Sequence, residues 1–72
     1  MDERKKKFLK SFGQKIQDAR RKQNISQEML ASKAEIERSY MGRIERAESN
    51  PPIYTVHKIL QALNVPASDL GL

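Results

Sequence analysis

The chain has no cysteine, only three prolines and three glycines, and four aromatic side chains, two Phe and two Tyr. Without cysteine there is no disulfide, no thiolate zinc site and no thiol nucleophile, which fits a cytoplasmic location. The only histidine, His57, has no second His or Cys at ligand spacing, so it reads as a surface side chain and no metal is expected. So few aromatics argue against a platform for stacking single-stranded bases. No apolar run approaches the ~18 residues that span a bilayer. The charged amino end lacks an apolar stretch long enough for a signal peptide. Apolar residues are 38% of the chain, below the usual ~45–50%, so the hydrophobic margin is thin. Seventy-two residues permit one domain near the lower end of what folds alone. Strand-type alternation with hairpin punctuation is absent, and so are internal repeats; the expected class is all-α.

Charge is plentiful but uneven. The net charge is +5, yet residues 1–25 hold nine Lys/Arg against three acids, residues 26–50 four against five, and residues 51–72 one of each. The positive field therefore comes from the first third, where a sequence-indifferent grip on a polyanion would concentrate. A solvated basic helix is the plain alternative.

The periodicity gives five helices. Phe8, Leu9, Phe12, Ile16 and Ala19 recur at helical spacing on helix 1, which follows a basic leader (1–7) and runs to Lys22. Asn24 suits the left-handed residue that ends many helices, and Ser26 is placed to cap helix 2. Met29, Leu30 and Ala34 form that helix's inner face. Ile36 bridges a turn to helix 3, about Arg38–Arg46, with Tyr40, Met41 and Ile44 inward. Two prolines after Asn50 make a loop. Val56, Ile59, Leu60 and Leu63 mark helix 4, stopped by Asn64. A last helical turn has Pro66 at its first position, so residues 53–70 form the C-terminal helices.

From Phe12 to Leu70 the chain resembles the Cro/C1-type helix-turn-helix domain, the XRE type found in phage repressors. The matching residues are Phe12-Gly13-x-x-Ile16-x-x-x-Arg20, Ile25-Ser26-Gln27-Glu28-x-Leu30-Ala31, Tyr40-Met41-x-x-Ile44-Glu45-Arg46, Asn50-Pro51 and Val56-x-x-Ile59-x-x-Ala62-Leu63. Within it, Glu37-Arg38-Ser39-Tyr40 with Ile44-Glu45-Arg46 looks most like the controller proteins of restriction–modification systems. The resemblance implies a compact, lambda-repressor-like, five-helix domain with its helix-turn-helix at 26–46. It also implies a bacterial or phage-type transcription regulator, associated with the nucleoid, whose second helix enters the major groove of double-stranded DNA. Three residues depart from the family: Glu35 stands where a turn glycine is usual, Ala47 replaces the glycine after Glu-Arg, and Pro52 holds a common Ser/Thr cap position.

Arg38, at the leading end of helix 3, is the expected base reader, with Ser39 and Arg43; Arg43 also suits a phosphate. Gln27 and Ser26 sit where helix 2's free N–H groups favour phosphate. Arg46 and Ser49 are further phosphate candidates, as is Asn50 by family position. The resemblance pairs Arg20 with Glu45, partly buried, with the guanidinium also near phosphate. Gly42 permits close approach or merely lowers helix propensity. Glu37 starts helix 3, accepts from cytosine or orients Arg38. Lys5, Lys6 and Lys7 form either a phosphate-seeking arm or a solvated run. A homodimer on a pseudo-palindrome is expected, through Val65, Leu70 and Leu72, with Phe8 and Leu9 as the other option. Nothing suggests a cofactor, a small-molecule ligand or a catalytic arrangement, and no membrane partner is expected. Two other functions remain: a same-fold module that binds a protein partner, and a basic amphipathic helix acting at anionic membranes.

Overall fold

A computed structural model describes residues 2–72. Its elements are α1 (Glu3–Lys22), α2 (Gln27–Ala34), α3 (Arg38–Glu45), α4 (Ile53–Leu63) and one 3-10 turn, Ala67–Leu70. The class is all-α as expected, but the α-helices number four among the described residues. The last segment fails to become a fifth because it is confined between two stops. Pro66, expected inside the helix, is the extended residue before it, and Gly71 turns left-handed immediately after. Four residues remain, enough for a 3-10 turn only. The basic leader is helical from Glu3 onward; Met1 lies outside the described residues.

Helix starts follow the local chemistry. Asp2 Oδ1 accepts from Lys5 N–H and Ser26 Oγ from Met29 N–H, each at 3.0 Å. Glu37 and Pro52, before α3 and α4, make no side-chain cap bond. Helix ends share one device. Asn24, Glu35, Ala47, Asn64 and Gly71 all have positive φ. After each, the next N–H reaches back five residues: Ile25 to Arg20, Ile36 to Ala31, Glu48 to Arg43, Val65 to Leu60 and Leu72 to Ala67. This is the Schellman closure, which satisfies carbonyls that a helix end would leave free. Ile25, Ile36 and Val65 then pack against the core. Glu48 has no apolar group to bury there.

The core gathers Phe12 and Ile16 of α1, Leu30, Ala31 and Ala34 of α2, Met41 and Ile44 of α3, Val56, Ile59 and Leu63 of α4, and Leu70. Met29, expected inward, is 48% exposed. Leu30 and Ala31 take the inner face, and Met29, a further 100° round, falls outside it. Helix α3 lies against α1 and α2, α2 also packs on α4, and the final turn folds back onto α1. Gly13 permits the close approach of α1 to α3, since a Cβ there would lie 2.5 Å from the Glu45 carbonyl oxygen.

Candidate nucleic-acid interface

Three residues, Glu35-Ile36-Glu37, join α2 to α3. Glu35 is left-handed (φ 56°, ψ 45°), a backbone that glycine adopts freely. An L side chain there costs about 1–2 kcal/mol. Lys58 Nζ, from α4, donates to the Glu35 carbonyl at 3.4 Å.

The angle of α3 is fixed from behind by one buried carboxylate. Glu45 is 4% exposed and receives Arg20 as a fork, Nε to Oε2 at 3.0 Å and Nη2 to Oε1 at 3.1 Å. Gln27 Nε2 donates to the same Oε1 at 3.2 Å. Gln17 Nε2 reaches the Glu45 carbonyl at 3.1 Å, and Arg20 Nη1 the Ile25 carbonyl at 3.2 Å. Side chains of α1 and α2 thus converge on the last residue of α3, and burial adds to the two-point charge-assisted geometry of the Arg20–Glu45 pair. The Arg20–Glu45 pair was expected; the Gln17 and Gln27 bonds were not. The i, i+3 spacing of Gln17 and Arg20 was the available signal, since it puts both on one side of α1. All three guanidinium nitrogens of Arg20 donate within the protein, which makes Arg20 a strut first.

The outer side of α3 is unencumbered. Among the described residues, no hydrogen bond engages the side chains of Arg38, Ser39 or Arg43, and all three are exposed. The Arg43 guanidinium lies 5.5 Å from the Tyr40 ring centroid, a cation–π rest that holds it at the surface. Tyr40 itself is half-buried against the core. Glu37 occupies the position before α3 without bonding its N–H groups.

Arg46 is different. Its Nε and Nη2 donate to the two Glu48 carboxylate oxygens at 3.1 and 3.2 Å. The hydrogen bond and charge of Glu48 raise the Arg46 pKa, and the same bond from Arg46 lowers that of Glu48. The side chain folds back over Gly42: a Cβ there would lie 2.9 Å from Arg46 Nη1 and 3.3 Å from Gln27 Oε1. Asn50 is exposed and Ser49 half-buried, in the loop that follows. Lys5, Lys6 and Lys7 are exposed on the first turns of α1.

The expected dimer residues separate. Leu70 is 1% exposed and Leu9 3%; the final turn closes over the core, so neither presents a surface. Leu72 and Phe8 are about half exposed and Val65 half-buried. The most exposed large apolar side chains are Ile53 (79%) and Tyr54 (68%). Sequence reasoning passed over them, although both fall outside the Val56, Ile59, Leu60, Leu63 stripe. The Tyr54 ring stacks on His57, centroids 6.2 Å apart, and His57, Leu60 and Val65 line one shallow depression. Among the described residues no three His, Asp or Glu side chains cluster as metal ligands, and no helix is long and apolar enough to cross a membrane.

The family profile described as helix-turn-helix matches residues 16–70. The chain is 42% identical over 60 residues to the control protein C.BamHI of Bacillus amyloliquefaciens, covering 82% of this chain and 74% of that one. It is 38% identical over 58 residues to the immunity repressor protein of Bacillus phage phi105, covering 81% of this chain but only 40% of that protein. Among solved structures, the restriction-modification controller protein C.AhdI of Aeromonas hydrophila superposes with a TM-score of 0.83 at 34% identity, over 86% of this chain and 94% of that one.

Proposed function

Since the chain belongs to the XRE-type helix-turn-helix family, whose members are DNA-binding regulators, we propose that it is a sequence-specific transcription regulator of the controller type. It binds double-stranded DNA as a homodimer on a pseudo-palindromic site, with α3 in the major groove. The observation that carries this reading is the contrast between the two sides of α3: a buried carboxylate tied to α1 and α2 behind, and three exposed polar side chains free of hydrogen bonds in front.

In this reading Arg38 makes a bidentate contact to guanine, Ser39 reads a neighbouring base edge, and Arg43 leaves Tyr40 for a base or phosphate. Ser26, Gln27, Ser49 and Asn50 meet the backbone on either side of the groove, with Arg46 beside them. Arg20 keeps α3 at its angle, and its charge adds to the phosphate field. The exposed strip along α4, Tyr54 and His57 through to Val65, is the better candidate for the second copy, with Leu72 at its margin. Its support is the exposed Tyr54 ring stacked on His57 and the open depression beside it that Leu60 and Val65 help to line.

The test is fluorescence anisotropy with specific and scrambled duplexes, for the native protein and Arg38→Ala. Arg38→Ala removes one bidentate guanine contact from each half-site, at about 1–3 kcal/mol or roughly 5- to 150-fold per half-site, on the specific site alone. Weak binding that ignores sequence and survives Arg38→Ala would favour the protein-interaction module instead.

A further inference from the structure

Arg46, the residue that caps the end of α3, differs from Arg38 and Arg43 in already being paired with a carboxylate. Glu48 holds two of its guanidinium edges in the same two-point geometry that a phosphate would use. The pair is exposed on both sides, 56% and 53%, so neither burial nor packing locks it, and water and ions compete for it freely. Its position is not random. The Schellman closure at Ala47 brings the Glu48 N–H back onto the Arg43 carbonyl at 2.8 Å. That fold places Glu48 beside the residue two positions earlier. Gly42 then gives the guanidinium a seat on α3 next to Gln27. Three features converge on one arrangement: a left-handed Ala47, a Gly42 without a side chain, and a carboxylate where the other Schellman closures place Ile25, Ile36, Val65 or Leu72.

We propose that Glu48 is an intramolecular competitor for Arg46: the carboxylate occupies the guanidinium in the free protein and must be displaced before Arg46 can take a DNA phosphate. The inference rests on the DNA-binding reading above. With Glu48 in place, Arg46 contributes little to the phosphates neutralised on a duplex of arbitrary sequence. Residues 26–50 carry a small net negative charge, so each freed cation on this face weighs heavily in the electrostatic term that supplies nearly all non-specific affinity. Glu48 therefore suppresses sequence-indifferent binding at the edge of the recognition helix.

The experiment measures affinity for a mixed-sequence 20-base-pair duplex across a salt titration, for the full native chain, Glu48→Gln, Arg46→Gln and the double variant. Circular dichroism checks that each folds, which is expected because the pair is solvent-exposed. Glu48→Gln is expected to bind about two- to fivefold tighter at low salt, the range of an exposed ion-pair coupling. The slope of log affinity against log salt should steepen by about 0.9 for each protomer bound, one more phosphate neutralised per Arg46 freed. The slope is the decisive readout, because removing any nearby acid raises affinity through the general field. In the Arg46→Gln background, Glu48→Gln should leave the slope unchanged. An equal slope change with and without Arg46 overturns the proposal, as does weaker binding by Glu48→Gln, which would make Glu48 a residue that positions Arg46 for DNA. No binding by any of the four proteins would instead refute the DNA-binding reading itself, and this inference with it.

Discussion

Glu45→Ala should be the most damaging polar substitution in the domain. The side chains of Arg20 and Glu45 are 13% and 2% exposed, so the pair is largely out of water. Removing the carboxylate deletes the acceptor for two Arg20 bonds and one Gln27 bond. The guanidinium keeps only the Ile25 carbonyl. Breaking a buried pair from one side costs about 3–5 kcal/mol, because the surviving charge is stranded. A domain of this length has about 4–11 kcal/mol in total, at roughly 0.05–0.15 kcal/mol per residue, so the loss is a large fraction of its stability. The assay is urea unfolding followed by helical circular dichroism, where the midpoint should fall steeply at a constant slope. Glu45→Gln keeps the volume and one acceptor oxygen, and should lose about half as much, which keeps the comparison measurable if the alanine variant is unfolded. Replacing both partners, Arg20→Met with Glu45→Leu, should recover most of the stability, since a matched apolar pair avoids the desolvation cost. It should not recover DNA affinity, because nothing polar then holds the angle of α3. A Glu45→Ala protein within about 0.5 kcal/mol of the native one would refute the assignment of Glu45 as the tie between the three helices.

Three other outcomes follow from local geometry. Glu35→Gly and Ala47→Gly relieve left-handed strain of about 1–2 kcal/mol each and lose about 0.4–1 kcal/mol to a more flexible unfolded chain. Each should be neutral or raise the melting temperature by a few degrees, and a clear fall would contradict that backbone at that site. Gly13→Ala forces a methyl against the Glu45 carbonyl and should destabilise by about 1–3 kcal/mol, despite alanine's better helix propensity; a stabilised variant in thermal melts would rule out the close approach of α1 to α3. Tyr54→Glu should leave the circular dichroism spectrum unchanged, since Tyr54 is exposed, and shift sedimentation towards monomer; an unchanged dimer would move the interface off α4.

Much of the fold was legible because its punctuation is local. Ser26, Asn24 and Asn64 stop and start helices through their own side chains or backbone tolerance, and each stands where the sequence indicates. Met29 misled because Met29 and Leu30 are adjacent, and helix geometry lets only one of two neighbours lie at the centre of a narrow inner face. Leu70 misled because an apolar residue near a chain end reads the same whether it covers the core or a partner. What decides is the return of the final turn onto α1, a contact between segments far apart in sequence. The Arg20–Glu45 pair was available through family resemblance. Gln27 on Glu45, and Glu48 on Arg46, were not, since hydrogen-bond partners across a turn depend on backbone angles such as the positive φ of Ala47.

In the proposed complex α3, held by Glu45, presents Arg38, Ser39 and Arg43 to bases. Selection of bound duplexes from a random-sequence pool, with the native protein and Arg38→Ala side by side, tests it most directly. The native protein should enrich a palindrome, and Arg38→Ala should lose the preference at one symmetric pair of guanine positions. No enrichment, or the same motif from both proteins, would contradict it.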